Sequence, residues 1–284
     1  MPTIIVPTDF SKNATAALRY AISLSKQIKA DLVVFHCSHI SPYALAAAAS
    51  EEQMTRLLKD DEMHKLEKLE EQVTKAYKFA EIDKIPTSIK YIVEINPFLV
   101  ERTIEIAKEH DAGLIIMGTH GATGITKFFF GSNTSIMISK SDVPVLAIPE
   151  TYKYADLNNI VFASDLENIS FELNQVIPFA EATKSKITVL YLDYGINADE
   201  RKINRANEVI NNIAYKKIKL EKQKATIEIS MVGQVKKYIG SDKPDCLVMF
   251  TRERSLWDRL FFKGSKTEDM STSISIPLLS FKKS

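Results

Sequence analysis

Short apolar runs alternate with amphipathic stretches along the whole chain. Thr3 to Val6 is a short run that stops at Pro7 and predicts a buried strand. Asp9-Phe10-Ser11-Lys12-Asn13 is a turn rich in helix-capping side chains. Ala16, Leu18, Ala21, Ile22, Leu24 and Ile28 then mark one face of a helix that ends near Lys29. Asp31 to Cys37 predicts a second strand, and residues 41–50 form a small-residue segment of undetermined state. Glu51 to Phe79 is the longest predicted helix. Its Leu66, Leu69, Val73 and Ala76 recur at threes and fours with charges between them. That stripe suits a helix packed on a sheet, with a short coiled-coil seam as the other reading. Ser88 to Ile95 predicts a third strand, and Pro97 marks a helix start, where a missing N–H costs nothing. Phe98 to His110 is that helix. Leu114 to Met117 is the fourth strand, Asn133 to Lys140 the fourth helix and Val143 to Ile148 the fifth strand.

The pattern then recurs. Asn159 to Asn168 echoes Ile4 to Asn13, and Lys186 to Asp193 echoes the second strand. Ala198 to Gln223 reads as helix, with Ile203, Ala206, Ile210 and Ile213 on one face. Ala225 to Val232 reads as strand three, Cys246 to Phe250 as strand four and Ile276 to Phe281 as the closing strand. Phe261-Phe262-Lys263-Gly264-Ser265-Lys266-Thr267 echoes Phe129-Phe130-Gly131-Ser132-Asn133-Thr134. Strands that alternate with helices imply a parallel, doubly wound α/β sheet with right-handed crossovers. The chain therefore reads as a tandem duplication, with domains at 1–150 and 151–284 and a linker near Pro149 to Leu157. In such sheets ligands bind beyond the carboxyl ends of the strands, where the strand order reverses.

The candidate chemistry sits beyond the carboxyl end of the fourth strand. Met117-Gly118-Thr119-His120-Gly121 follows the fourth strand, and Gly131-Ser132-Asn133-Thr134 follows after nine intervening residues, at the head of a helix. Glycines let backbone N–H groups approach a ligand closely. A helix start adds unpaired donors and the positive end of a dipole. The residues read as a phosphate cradle made mostly of backbone, with a tight turn as the bland alternative. The spacing is neither G-x-x-x-x-G-K-[ST] nor G-x-G-x-x-G, so neither the P-loop lysine mechanism nor the dinucleotide fingerprint is indicated.

Composition narrows the classes. The chain has 284 residues, enough for two ordinary domains, with 45% hydrophobic and 26% charged residues. A formal net charge of +1 gives no bulk electrostatic reason to expect nucleic acid or an anionic membrane. Met1-Pro2-Thr3 leads straight into a strand without the pattern of a signal peptide, and no run approaches the length of a membrane span. Two cysteines, Cys37 and Cys246, lie in strand-like segments and read as buried thiols of a reducing compartment, so a cytoplasmic location is expected.

The spacing G-x2-G-x9-G-[ST], here Gly118-x2-Gly121-x9-Gly131-Ser132, resembles the nucleotide-binding signature of the universal stress protein family. Ile4-Ile5-Val6-Pro7-Thr8-Asp9-Phe10-Ser11 resembles that family's opening strand and acidic turn, and Val33-Val34-Phe35-His36-Cys37 its second strand. The resemblance covers nearly the whole chain, closely in the first half and loosely in the second. It implies two five-stranded sheets of order 3-2-1-4-5, the adenine nucleotide alpha hydrolase-like fold. It also implies an ATP site, or one for ADP or AMP, with magnesium bridging phosphates as an option that needs no dedicated motif. In that reading Pro7, Thr8 and Asp9 line the nucleoside end. The backbone of Cys37 contacts adenine, and Gly118, Gly121, Gly131, Ser132, Asn133 and Thr134 hold the phosphates. Asp9 as a helix cap and Thr134 as a helix-surface residue are the bland alternatives.

The second half departs from the signature. Aligning Gly264-Ser265 with Gly131-Ser132 sets Thr251 and Arg254 where the first half has Gly118 and Gly121. The side chains fill the turn, and a decayed site is expected; Arg252 and Arg254 gripping an anion is the alternative. His120 either touches a phosphate or has no role. His36-x-x-His39 has a metal-like spacing without further ligands, so no metal site is expected. No nucleophile–base pair stands out, so the expectation is a binder with slow ATP hydrolysis or none.

Three functions remain. The first is a tandem stress-response regulator that binds an adenine nucleotide in its first half. The second is an interaction or scaffold protein that works through protein partners without nucleotide. The third is a nucleotide hydrolase or transferase. The resemblance further implies that the two halves pair as an intramolecular pseudo-dimer through their closing strands; whether two chains form a homodimer stays open.

Overall fold

A computed structural model describes residues 3–38, 50–119, 131–195, 200–251 and 275–282. The chain divides into two compact units between Tyr154 and Ala155. The first contains β1 (Thr3–Thr8), α1 (Lys12–Ile28), β2 (Asp31–Ser38), α2 (Glu51–Phe79) and β3 (Lys90–Ile95). It continues with α3 (Leu99–Glu109), β4 (Ala112–Gly118), α4 (Ser132–Lys140) and β5 (Val145–Ile148). Its strands are parallel, in the order β3-β2-β1-β4-β5. The order reverses between β1 and β4.

The strands are apolar runs rather than alternating ones because both faces of the sheet are covered. Ile4, Ile5 and Val6 of β1 and Leu114 to Met117 of β4 are all buried. Helix α1 packs Ala17, Leu18, Ala21 and Leu24 inward, against β1, β4 and β5. Ser11 caps it by accepting from the Ala14 N–H at 3.1 Å, and Lys29 ends it in the left-handed conformation, φ 56°. Helices α1 and α2 pack on each other, as do α3 and α4. Among the boundaries that differ from expectation, two involve prolines. β1 runs through Pro7 to Thr8, because β4 pairs with β1 only over Thr3 to Ile5 and Pro7 lies past the doubly flanked stretch. Pro97 precedes the N-cap Phe98 instead of opening the helix, and Asn96 turns the chain there by accepting from the Phe98 N–H at 2.8 Å.

The second unit contains β6 (Asn159–Ala163), α5 (Ile169–Thr183), β7 (Lys186–Asp193) and α6 (Glu200–Asn212). It continues with β8 (Ile218–Lys224), α7 (Met231–Asp242), β9 (Cys246–Thr251) and β10 (Leu278–Lys282). Its sheet is parallel, ordered β8-β7-β6-β9-β10, the same winding as the first. The fold is thus two tandem, doubly wound, five-stranded sheets.

The predicted helix over 198–223 is corrected. It stops at Asn212, and residues 218–224 are a strand paired with β7 from Ile187↔Ile218 to Asp193↔Lys224. Lysine, glutamate and glutamine there favour a helix by propensity. The alternation of half-buried Ile218 and Leu220 with exposed Lys219 suits a strand with a charged face. The strand expected over 225–232 is a turn that leads into α7, capped by Ser230 accepting from the Gly233 N–H at 3.1 Å.

Candidate functional site

The carboxyl ends of β1 and β4, the neighbours at the reversal, meet the heads of α1 and α4. Beyond Thr8 the chain turns through Phe10, which sits at φ 62° although it is not glycine. Two side chains hold this turn. The Thr8 hydroxyl accepts from the Phe10 N–H at 3.1 Å, and the Asp9 carboxylate accepts from the Ser11 N–H at 2.9 Å. The cap of α1 is therefore Ser11, and Asp9 shapes the turn in front of it, exposed at the mouth of the crevice. Thr8 itself is buried and donates to Gln72 Oε1 at 3.0 Å; Gln72 Nε2 donates on to Thr15 Oγ1 at 2.9 Å. One side chain of α2 thus ties β1 to α1.

On the other side of the reversal, Gly118 lies hard against the start of α1. A Cβ on Gly118 would stand 2.8 Å from the carbonyl carbon and oxygen of Asn13. The Gly118 carbonyl accepts from the Thr134 hydroxyl at 2.8 Å, and Thr134 is buried, so it is not a helix-surface residue. The Gly131 N–H donates to the Thr119 carbonyl at 2.6 Å. Helix α4 then starts with Gly131 as its N-cap and no side-chain cap. The backbone N–H groups of Ser132, Asn133 and Thr134 have no intrahelical carbonyl to meet; the first helical bond runs from the Ser135 N–H to the Gly131 carbonyl at 3.0 Å. Ser132 and Asn133 are exposed. These donors, with no partner among the described residues, sit at the positive end of a helix and fit an anion. Gly121 and His120 lie outside the described residues.

β2 supplies the far wall. His36 stands level with Thr8 in the ladder and its Nδ1 lies 2.8 Å from the Thr8 carbonyl, which requires a proton on that nitrogen. Its ring packs on Phe10 with centroids 4.3 Å apart. Burial pushes the imidazole below its usual value. The Thr8 carbonyl acts against that shift, the Lys65 and Lys68 ammonium groups add to it, and Asp61 opposes it. His36 thus joins two strands; His39, its partner in the metal-like spacing, lies outside the described residues. Cys37 is half-buried rather than buried, and its thiol donates to the Asn96 carbonyl at 2.7 Å. Burial pushes this thiol up, with the Asn96 bond acting against.

A family model described as the universal stress protein family matches residues 1–149, more than half of the chain. The chain belongs to the universal stress protein family. Universal stress protein MJ0531 of Methanocaldococcus jannaschii is 31% identical over 153 residues, covering 53% of this chain and 83% of that protein. The crystal structure of a universal stress protein from Archaeoglobus fulgidus DSM 4304 aligns with 99% of this chain and 98% of its own at 14% identity, TM-score 0.65. That likeness spans both units and shows their fold. A universal stress protein solved in complex with cAMP aligns with 52% of this chain and 96% of its own at 20% identity, TM-score 0.37.

The second unit of this universal stress protein repeats the acidic turn. Leu166 sits at φ 63°, the Ser164 hydroxyl accepts from the Leu166 N–H at 3.0 Å, and Asp165 accepts from the Glu167 N–H at 3.1 Å. The strand-end glycine is not repeated. Thr251 occupies the end of β9, buried, its hydroxyl donating to the Phe281 carbonyl at 3.2 Å. Phe250 stacks on Phe281, centroids 5.2 Å apart, and meets Phe162 edge-on at 5.5 Å. A side chain thus stands at the end of β9 where β4 has Gly118, which has no room for a Cβ against Asn13. Arg252, Arg254, Gly264 and Ser265 lie outside the described residues. Among the described residues no group of three or more His, Cys, Asp or Glu is placed to hold a metal, and no helix is long and apolar enough to cross a membrane.

Sequence reasoning missed Gln72, Thr15, Asn13 and the α2 face over the strand ends. Polar residues spaced at threes and fours in α2, namely Asp61, Lys65, Lys68 and Gln72, carried the signal.

Proposed function

We propose that the first unit, residues 1–150, binds ATP or another adenine nucleotide at the reversal between β1 and β4, as a stress-response regulator with slow hydrolysis or none. The observation that carries this reading is the head of α4: three backbone donors with no side-chain cap, beside a glycine-ended strand, at the place where doubly wound sheets take ligands. In this reading Ser132, Asn133 and Thr134 contribute N–H groups to the phosphates, together with Gly121. Asp9 accepts from ribose hydroxyls, Pro7 and Thr8 shape the wall below, and the Cys37 backbone meets the base. Gly118 acts by letting α1 come close, and the Thr134 hydroxyl by fixing β4 to α4. Residues 151–284 form a second domain of the same family whose site is closed.

The test uses a proline. Ser132→Pro puts proline at the first helical position, where φ suits it, after a Gly131 already extended at ψ 155°. The helix survives and one donor disappears. Equilibrium dialysis with ATP should give about one nucleotide per wild-type chain, and affinity about tenfold weaker in the variant, the loss of one charge-assisted hydrogen bond. Two per chain would mean a working second site. No binding to the wild type would overturn the reading in favour of a protein that acts through partners alone; the observation that favours that alternative is Thr251 in place of Gly118, since the second unit keeps the fold without that glycine.

A further inference from the structure

The crevice has a cation at its other end as well. Asp61, Lys65, Lys68 and Gln72 share one face of α2, and all four lie by the ends of β1 and β2. Asp61 accepts from the Ser38 hydroxyl at 2.7 Å, Lys65 Nζ lies 3.9 Å from Asp61, and Gln72 bridges Thr8 and Thr15. Lys68 is different. Its neighbour one turn on, Glu71, pairs with Lys75 at 2.6 Å, and Lys68 makes no ion pair among the described residues. Its ammonium instead lies 4.3 Å from the centroid of the Phe10 ring, the residue that follows Asp9, and the side chain is exposed there. A solvent-accessible ammonium held on an aromatic face by a weak interaction is available to a stronger anion. Phe10 in turn is fixed by its backbone turn and by His36. The position of the ammonium is therefore set by the fold.

The Lys68 ammonium lies over Phe10, whose ring packs on His36 of β2, while α4 follows β4; β2 and β4 are two strand spacings apart, about 10 Å. Asp9 lies between. A nucleoside spans such a gap, and a plain 5′-nucleotide would use only one of its two anion points.

We propose that Lys68 is a second phosphate-binding point, so that the favoured ligand is an adenine nucleotide carrying a further phosphate on its ribose 2′ or 3′ oxygen. The 5′-phosphate then meets the head of α4, Asp9 takes the remaining ribose hydroxyl, and the Lys68 ammonium leaves the Phe10 ring to pair with the ribose phosphate. This inference rests on the nucleotide reading of the first unit.

Isothermal titration calorimetry with AMP, adenosine 2′,5′-bisphosphate and adenosine 3′,5′-bisphosphate tests it. One of the two bisphosphates should bind the wild-type protein at least about tenfold more tightly than AMP. Lys68→Ala should remove that preference and leave AMP unchanged, and Lys68→Arg should keep it. Lys78→Ala, an equal charge change at the exposed end of α2, should also keep it. Neither bisphosphate binding more tightly than AMP, or a preference that survives in Lys68→Ala, overturns the proposal and leaves the nucleotide reading standing. Failure of the wild type to bind AMP, ATP or either bisphosphate overturns both.

Discussion

Gly118 and Asn13 touch so closely that no side chain fits between them: a Cβ on Gly118 would lie 2.8 Å from the Asn13 carbonyl carbon and oxygen. The contact brings the end of β4 against the first turn of α1. Gly118→Ala forces backbone apart, and overpacking of this kind costs about 1–3 kcal/mol. Urea denaturation should show the unfolding free energy fall by that amount, through a lower midpoint with an unchanged slope. A neutral substitution would mean that α1 moves away freely.

Thr8 and Thr15 are linked through Gln72, whose amide accepts from one hydroxyl and donates to the other. Gln72→Leu leaves both hydroxyls without that partner, while Thr8 stays buried. A double-mutant cycle of Thr8→Val and Gln72→Leu should show a coupling of about 0.5–1.5 kcal/mol. Purely additive losses would show that the link contributes nothing.

Stability should fall on mild acidification. Burial lowers the folded-state pKa of His36 below its ordinary value near 6.5, so the unfolded chain takes up its proton first as pH falls. The stabilisation is complete above about pH 6.5. It is lost progressively as pH drops through that value toward the lower folded-state pKa, and below that the loss levels off. Histidine ring signals followed by NMR should place His36 below the ordinary value, with its Nδ1 protonated at neutral pH. A His36 titration at or above the ordinary value would contradict this.

The two thiols should differ in reactivity. Cys246 is wholly buried and its thiol is pushed up to about 12, so almost no thiolate is present near neutrality. Cys37 is half-buried and also pushed up. A disulfide-exchange reagent at pH 8 should modify Cys37 slowly and Cys246 only after unfolding. Saturating nucleotide should slow Cys37 further if the base lies over the end of β2. Equal rates for the two cysteines in the native protein would be inconsistent with the packing.

Local chemistry made much of this protein readable. The runs Ile4-Ile5-Val6 and Leu114-Ile115-Ile116 are long enough and apolar enough to be buried strands in any context. The turn at Thr8 and Asp9 is written in side chains that bond to their own backbone, and it recurs at Ser164 and Asp165 with nearly the same φ at the following residue. These features involve residues at most four apart. The glycine spacing was equally visible, although spacing alone does not distinguish a ligand's need from a neighbour's.

Tertiary structure decided the rest. Ile218 to Lys224 has the composition of a helix and became a strand because β7 offered a ladder. Gly118 is required by Asn13, more than one hundred residues before it, and the Thr134 hydroxyl is directed to a carbonyl sixteen residues earlier. His36 ties strands together through the Thr8 carbonyl, and Lys68 rests on the Phe10 ring while Glu71 pairs with Lys75. The sequence by itself determined which segments are buried and where the chain turns, since hydrophobic period and backbone-capping side chains act within a few residues. Which side chains meet across the crevice was decided only when the sheet brought the ends of β1, β2 and β4 together, because contacts between distant residues have no signature in either member alone.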